Sequence, residues 1–184
     1  MSRIVRRIRQ SGVYFVTTHT WQRKEIFRKE TPARVLLDQI LECRERGFYK
    51  LHAFVIMPDH LHLLVTPAED APLEKVMVMI KGGSSHRIKK ELLYRWPIWQ
   101  PGFHDRWMRD AEEFRVRVDY IAENPVVAKL AESATEYSLS SASGKFKLDP
   151  SQFDDGTSGA KALCLKESNV AAKAATHKAH ATAK

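Results

Sequence analysis

Two apolar runs, residues 48–57 and 60–66, are separated only by Pro58 and Asp59. Proline presets the backbone for a turn and aspartate bonds back to its own main chain, so segments joined by this pair should close as a tight antiparallel hairpin. That pairing limits the fold more than any other feature, because it sets two strands side by side and fixes which residues share a face. The second strand opens with "HLHLLV", and residues two apart in a strand project to the same side. His60 and His62 therefore stand on one face, with Leu61, Leu63 and Val65 on the other. Neutral imidazole is a common ligand for divalent transition metals, and this pair supplies two donors and leaves a third to come from elsewhere. Taken alone, two such histidines are more often surface or hydrogen-bonded residues than a metal site.

The remaining elements fall around this hairpin. "GVYFVTTHT", rich in aromatic and β-branched residues, reads as a preceding strand. Thr31 and Pro32 open a helix in which Ala33, Leu36, Leu37, Ile40 and Leu41 recur at helical spacing until Gly47. After the hairpin, Asp70 and Pro72 start a second helix with Leu73, Val76, Met77 and Ile80 on one face. Gly82 and Gly83 are expected to interrupt it, and a weaker helical stretch follows to about Leu93. "FHDRWMRD" reads as a short strand, and residues 111–123 as a third helix that ends near Asn124 because Pro125 disfavours helical geometry before it. The order β-α-β-β-α-β with an extra helix is that of an α+β, ferredoxin-like split βαβ fold: an antiparallel sheet with helices on one face. At Ser133 the composition shifts. The expected organisation is one domain over residues 1–132, including a basic N-terminal arm, and a basic, Ala/Ser/Lys-rich disordered tail over 133–184.

The 184 residues carry 30 Lys and Arg against 22 Asp and Glu, a net charge of +8. Such a balance suits a polyanionic partner. With no apolar run long enough to cross a bilayer and no apolar core behind the N-terminal arginines, a cytoplasmic location without membrane contact is expected. Cys43 and Cys164 lack a CxxC partner, so a metal would fall to His, Asn, Gln, Asp or Glu. In the third helix Phe114, Val118 and Ile121 form the apolar stripe. Tyr120 and Asn124 lie off it, four apart and on one face, beside Glu113 and Arg117. His52 alternates with the core and reads as structural. Trp96, Trp99 and Trp107 are candidates for stacking on unpaired bases, with core packing the competing role. The cluster Arg3, Arg6, Arg7 and Arg9 is either a solvated arm or a phosphate clamp.

"YFVTTHTWQRKEIF", "MPDHLHLLV", "WQPGFHDRWMRD" and "DYIAENPV", in this order over about residues 12–130, closely resemble the REP-associated tyrosine transposases. These are relatives of the single-tyrosine insertion-sequence transposases within the HUH nucleases. The resemblance implies that His60 and His62 bind a divalent ion, Mg²⁺ or Mn²⁺, with Asn124 as third ligand; some relatives carry Gln there. It implies that Tyr120 attacks a DNA phosphate to give a 5′-phosphotyrosine and a free 3′-OH. A phenol is a weak nucleophile at neutral pH and needs a cation and in-line geometry. The bond energy is kept, so no ATP site is required, and no GxxxxGK[ST] occurs. The implied partner is single-stranded or hairpin DNA with palindromic repeats, in a bacterial, nucleoid-associated setting, and the acting form is a monomer or homodimer. Trp99, Gln100, His104, Arg109 and Arg117 join the four N-terminal arginines as candidate DNA contacts. Two alternatives stand beside this: a non-cleaving DNA-hairpin-binding protein on the same fold, and an HxH hydrolase of small molecules, which ordinarily needs a larger barrel with more ligands.

Overall fold

The computed structural model describes residues 11–153. Its main elements are β1 (Tyr14–His19), α1 (Glu30–Glu45), β2 (Tyr49–Met57), β3 (His60–Pro67), α2 (Leu73–Glu91), β4 (His104–Trp107) and α3 (Ala111–Val127). All lie in a compact unit that ends at Ser151. The sheet order is β2-β3-β1-β4, antiparallel throughout, so β3 splits the β1-α1-β2 unit as the element order requires. Met57 pairs with His60, which leaves Pro58 and Asp59 as the two-residue turn. Among the described residues no helix is long and apolar enough to cross a membrane.

The two helices of the split unit share one face of the sheet. Val16, Leu51, Phe54, Ile56, Leu61, Leu63 and Val65 meet Leu36 and Ile40 of α1 and Val76, Met77 and Ile80 of α2 in the main core. The extra helix takes the opposite face: the ring of Phe114 lies against His52, and that of Tyr120 against Phe15 and His62. Leu64 and Val55 are fully buried outside the main cluster, and Phe114 and Ile121 are buried with them. Such a face cannot be left to water, and α3 covers it.

Two expected helix breaks do not occur. α2 runs through Gly82 and Gly83, because the missing side chain serves packing: a Cβ on Gly83 would fall 2.5 Å from the Gln39 carboxamide of α1. α3 runs past Asn124 to Val127 with Pro125 inside it. Pro125 is buried, and the last turn still closes through Ala128 N–H to the Asn124 carbonyl (3.1 Å) and Leu130 N–H to the Pro125 carbonyl (2.8 Å). Asn124 thus keeps a helical relation to Tyr120.

The composition change at Ser133 does not mark the end of the packed unit either. Residues 133–151 line the outer edge of β2. Tyr137 Oη donates to the Ile56 carbonyl (2.9 Å), Ile56 N–H to the Leu139 carbonyl (2.9 Å) and Phe54 N–H to Ser141 Oγ (3.0 Å). Asp149 closes the segment, accepting from Arg44 Nε and Nη2 (2.7 Å each) and from Leu51 N–H (2.8 Å). Its carbonyl accepts from His52 Nδ1 (2.9 Å), which leaves Nε2 to accept from the Thr66 hydroxyl (2.8 Å). His52 is the extra residue of a bulge between Leu51 and Ala53, and its role is structural, as its alternation implied. Serine-rich sequence here supplies edge hydrogen bonds in place of apolar periodicity.

The Arg44 hydrogen bonds, aided by Leu51 N–H, hold the Asp149 carboxyl below its usual range against the opposing effect of burial. Asp149→Ala should cost about 2 kcal/mol of unfolding free energy by chemical denaturation, since it leaves the mostly buried Arg44 unpaired. The unfolded carboxyl titrates near pH 4. The Asp149 contribution is therefore complete above about pH 4 and is lost as pH falls through the lower folded value, and the variant should lack this acid-side loss.

Candidate functional site

The β1–β3 register sets Thr17 opposite His62 and His19 opposite His60. His62 is 4% exposed, with its ring stacked on Phe15 at 5.3 Å. Its Nδ1 lies 2.8 Å from Thr17 Oγ1, while its Nε2 is buried with no hydrogen-bond partner. With the ring proton on Nδ1, donated to the threonine, Nε2 is a buried lone pair without a donor. An unsatisfied buried polar atom calls for an explanation. Burial first, then the positive charges available at His60, His19 and Arg117, push the His62 pKa down to about 3, only partly opposed by Asp59. The imidazole is therefore neutral, the form that ligates metals.

His60 is held from the turn. Its Nδ1 is 2.6 Å from Asp59 Oδ1, and because a carboxylate only accepts, Nδ1 carries a proton, so that in the neutral ring the lone pair falls to Nε2. Arg23 Nη1 reaches the other oxygen of Asp59 at 3.3 Å. Burial would raise the Asp59 carboxyl, but the hydrogen bonds and charges of His60 and Arg23 outweigh it and keep it below the usual range. The two rings meet edge to face, 4.7 Å between centroids. Each thus has one nitrogen fixed by a neighbour and the other left as a donor, the arrangement that orients metal-binding histidines.

α3 brings Tyr120 over this pair. Its ring centroid is 5.2 Å from that of His62 and 5.9 Å from that of Phe15, and the residue is 44% exposed. One turn back, the Arg117 guanidinium lies 5.1 Å from the Phe15 ring and 5.9 Å from the Tyr120 ring. Asn124 is half-buried one turn further along the helix. Among the described residues no group of three or more His, Cys, Asp and Glu side chains is arranged to hold a metal ion. A cation here would need a third ligand of another kind, and a carboxamide oxygen is one. The orphaned Nε2 of His62 and the fixed tautomer of His60 fit a divalent ion.

The other expected contacts divide. His104, on exposed β4 opposite Thr17, has its ring 6.3 Å from that of His19, at the same end of the site. Arg109 is tied to Glu113, which also accepts from Arg106 at 2.7 Å; hydrogen bonds from both arginines hold the Glu113 carboxyl at about 2. Gln100 is a bracket, its N–H on the His19 carbonyl (2.9 Å) and its carbonyl on Lys81 Nζ (2.8 Å). Trp99 is not a surface for bases. It is 8% exposed, packed on Phe27, with Nε1–H donated to Ser84 Oγ at 3.1 Å. Arg3, Arg6, Arg7 and Arg9 lie outside the described residues. Sequence reasoning missed Phe15, Thr17, Arg23 and the proximity of His19. Phe15, Thr17 and His19 alternate along β1, so the period of the strand carried their common face, but only the pairing register set them against the histidines.

The family model described as "Transposase IS200 like" matches residues 10–124, and the chain belongs to that family. Over 118 residues it is 27% identical to the REP-associated tyrosine transposase of Escherichia coli (strain K12), a match covering 64% of this chain and 68% of that protein. The fold also matches a solved REP-associated tyrosine transposase bound to a REP hairpin, with a TM-score of 0.64 and 25% identity over 82% of this chain and 92% of that one.

In the metal-free protein, imidazole ¹H–¹⁵N spectra should find His62 neutral and protonated on Nδ1 at pH 5. The unfolded chain takes up a proton below about pH 6.5 that folded His62 refuses down to about 3. This group therefore makes stability rise with pH across that window.

Proposed function

We propose that this chain is a single-tyrosine DNA endonuclease and strand transferase that cuts single-stranded or hairpin palindromic DNA through a covalent phosphotyrosine. The observation that carries the reading is the exposed phenol of Tyr120 set over the buried, lone-pair-bearing His62. In the cleavage step the Tyr120 Oη–P bond forms as the P–O3′ bond breaks. The phenol proton passes to solvent, and the departing 3′ oxygen takes one from it. The product is a 5′-phosphotyrosine, and attack by a 3′-OH reverses the step and joins strands without external energy. Tyr120 is the nucleophile. Arg117, whose guanidinium lies 5.9 Å from the centre of the Tyr120 ring, is proposed to offset negative charge on the phenolate and the phosphate. His60, His62 and Asn124 would hold Mg²⁺ or Mn²⁺, which when bound polarises the scissile phosphate. Two imidazole donors favour Mn²⁺ of the two.

The hairpin as substrate is supported by the relative solved with a REP hairpin. His104, at the His19 end of the site, and the four N-terminal arginines are proposed contacts to the DNA backbone. Arg109 is proposed to act there with its charge already shared with Glu113. Tyr120 and both histidines belong to one chain, so this reading needs no second copy. The proposed setting is the cytoplasm, at the bacterial nucleoid.

The test is a denaturing gel of the protein with labelled single-stranded hairpin DNA and Mn²⁺ or Mg²⁺. The wild type should form a covalent band that requires the metal. Tyr120→Phe and His62→Ala should abolish it, while Tyr120→Phe still binds the hairpin within about threefold of wild type. A wild-type protein that binds the hairpin with either metal and never forms the band would favour the non-cleaving reading. Separately, Thr17→Val removes the partner of His62 Nδ1 and should weaken Mn²⁺ binding about 10- to 100-fold by titration calorimetry, and by leaving the buried Nδ1–H unpaired it should also cost about 1–3 kcal/mol of unfolding free energy.

A further inference from the structure

The pairing along the outer side of β1 is broken by an insertion that the step at Tyr120 does not explain. Thr20 bridges to Trp99, and Gln100 N–H bonds the His19 carbonyl at 2.9 Å, so the chain ahead of β4 already runs antiparallel to β1. Further along, Thr17 is paired with His104. Between these two pairs, Thr18 and His19 of β1 lie opposite four residues, Gln100, Pro101, Gly102 and Phe103, so two of the four are extra. An unbroken ladder from Trp99 would set His104 against Phe15. The insertion moves it two places, about 6.8 Å, toward the His19 end, and an even count keeps it on the face shared with His60 and His62. Bulges are over-represented beside active sites, where they re-aim a side chain. Here the ring of His104 ends 6.3 Å from that of His19, which is itself 5.7 Å from that of His60.

Extra residues in a sheet leave main-chain groups outside the ladder, and each needs another partner. The carbonyls of Gln100 and Gly102 both accept from Lys81 Nζ, the first at 2.8 Å. Lys81 belongs to α2, whose apolar residues lie in the main core on the other face of the sheet. It is half-buried, burial lowers its pKa, and among the described residues its ammonium meets no carboxylate. Taking an ammonium out of water is unfavourable unless acceptors replace the water. Both acceptors here come from one loop. Gly102 takes the left-handed conformation of that loop, with φ of 73°. The far end of β4 has a separate anchor in Met108, fully buried with its N–H on the Val13 carbonyl (2.8 Å). The near end, which carries His104, has Lys81.

We infer that Lys81 is a positioning residue of the DNA site: its ammonium fastens the two-residue insertion and thereby holds His104 beside His19. The inference rests on the reading above of His104 as a contact to the DNA backbone. β4 is four residues long and pairs with β1 alone, so its own ladder has few bonds with which to fix the end that faces the site. Lys81 supplies that restraint from a helix packed in the core. The loop it holds is exposed at Pro101 and Gly102, so carbonyls released by its loss can turn to water. Losing Lys81 therefore displaces His104 more than it unfolds the protein.

The test uses the full chain in EDTA. Nuclear Overhauser spectra of the wild type should connect the ring protons of His19 and His104; Lys81→Met should lose that contact and keep the one between His60 and His62. By fluorescence anisotropy with a labelled palindromic DNA hairpin, Lys81→Met and His104→Ala should each weaken binding about 3- to 10-fold. The double variant should lose no more than either alone, and Lys81→Arg, which keeps the charge and the donors, should retain most of the affinity. Deleting Pro101 and Gly102 leaves an unbroken ladder with His104 still opposite Thr17, and in that background Lys81→Met should not change binding. If Lys81→Met does not fold, Lys81→Gln carries the same cycle. Losses that add in the double variant, or a His19–His104 contact that survives Lys81→Met, overturn the positioning role while the DNA reading stands. A His104→Ala protein that binds as tightly as wild type removes that histidine as a DNA contact, and the inference with it. A wild type that binds no hairpin removes the DNA reading itself.

Discussion

The contact between His62 Nδ1 and Thr17 Oγ1 bridges the two central strands, and it exists only in the register that sets residue 17 opposite residue 62. A strand has period two, so a slip of one position would turn Thr17 and Phe15 into the main core and Val16 out of it. The core forbids that exchange: Val16 is fully buried against α1 and α2, and a threonine hydroxyl there would have no partner. The apolar packing on one face of the sheet thereby holds the imidazole geometry on the other.

That division of labour explains why two histidines are tolerated in the middle of a sheet. His62 is buried yet uncharged, because burial and the surrounding positive groups disfavour the imidazolium. Phe15 and Tyr120 close around it as aromatic walls, one stacked and one edge-on. α3 reaches this position because Phe114 and Ile121 anchor it over Val55 and Leu64. The helix that completes the apolar layer is the same one that delivers Tyr120 and Arg117.

Much of this was legible in the residues. The Pro58–Asp59 turn, the split βαβ order and the separation of His60 and His62 from Leu61, Leu63 and Val65 follow from period and turn chemistry alone. The helix boundaries at Gly82–Gly83 and Pro125 were not, because local propensity ranks glycine and proline as breakers and cannot see Gln39 or the buried setting of Pro125. Trp99 looked like Trp96 and Trp107 in sequence; only its seat between Phe27 and Ser84 separates it from them. Residues 133–151 lack apolar periodicity because they bind through hydroxyl, carboxylate and main-chain groups, which leave no hydrophobic signature. The pairing of Arg109 with Glu113 was not legible either, because Arg109 precedes the Asp110 cap of α3 and meets Glu113 through the path of the chain into the helix, not through helical spacing.

The segment along β2 has a consequence for how the sheet meets other chains. The outer strand of an open sheet offers unpaired main-chain groups on which a foreign strand can grow. On β2 those groups are engaged: Leu51 and Phe54 donate to side chains of Asp149 and Ser141, Ile56 donates to Leu139, and the Ile56 carbonyl is taken by Tyr137. Strand addition is thereby refused on that side. The opposite border is β4, four residues long and carrying His104, Asp105 and Arg106, a short and charged template. Among the described residues, neither border of the sheet thus offers a long apolar edge on which another strand could grow.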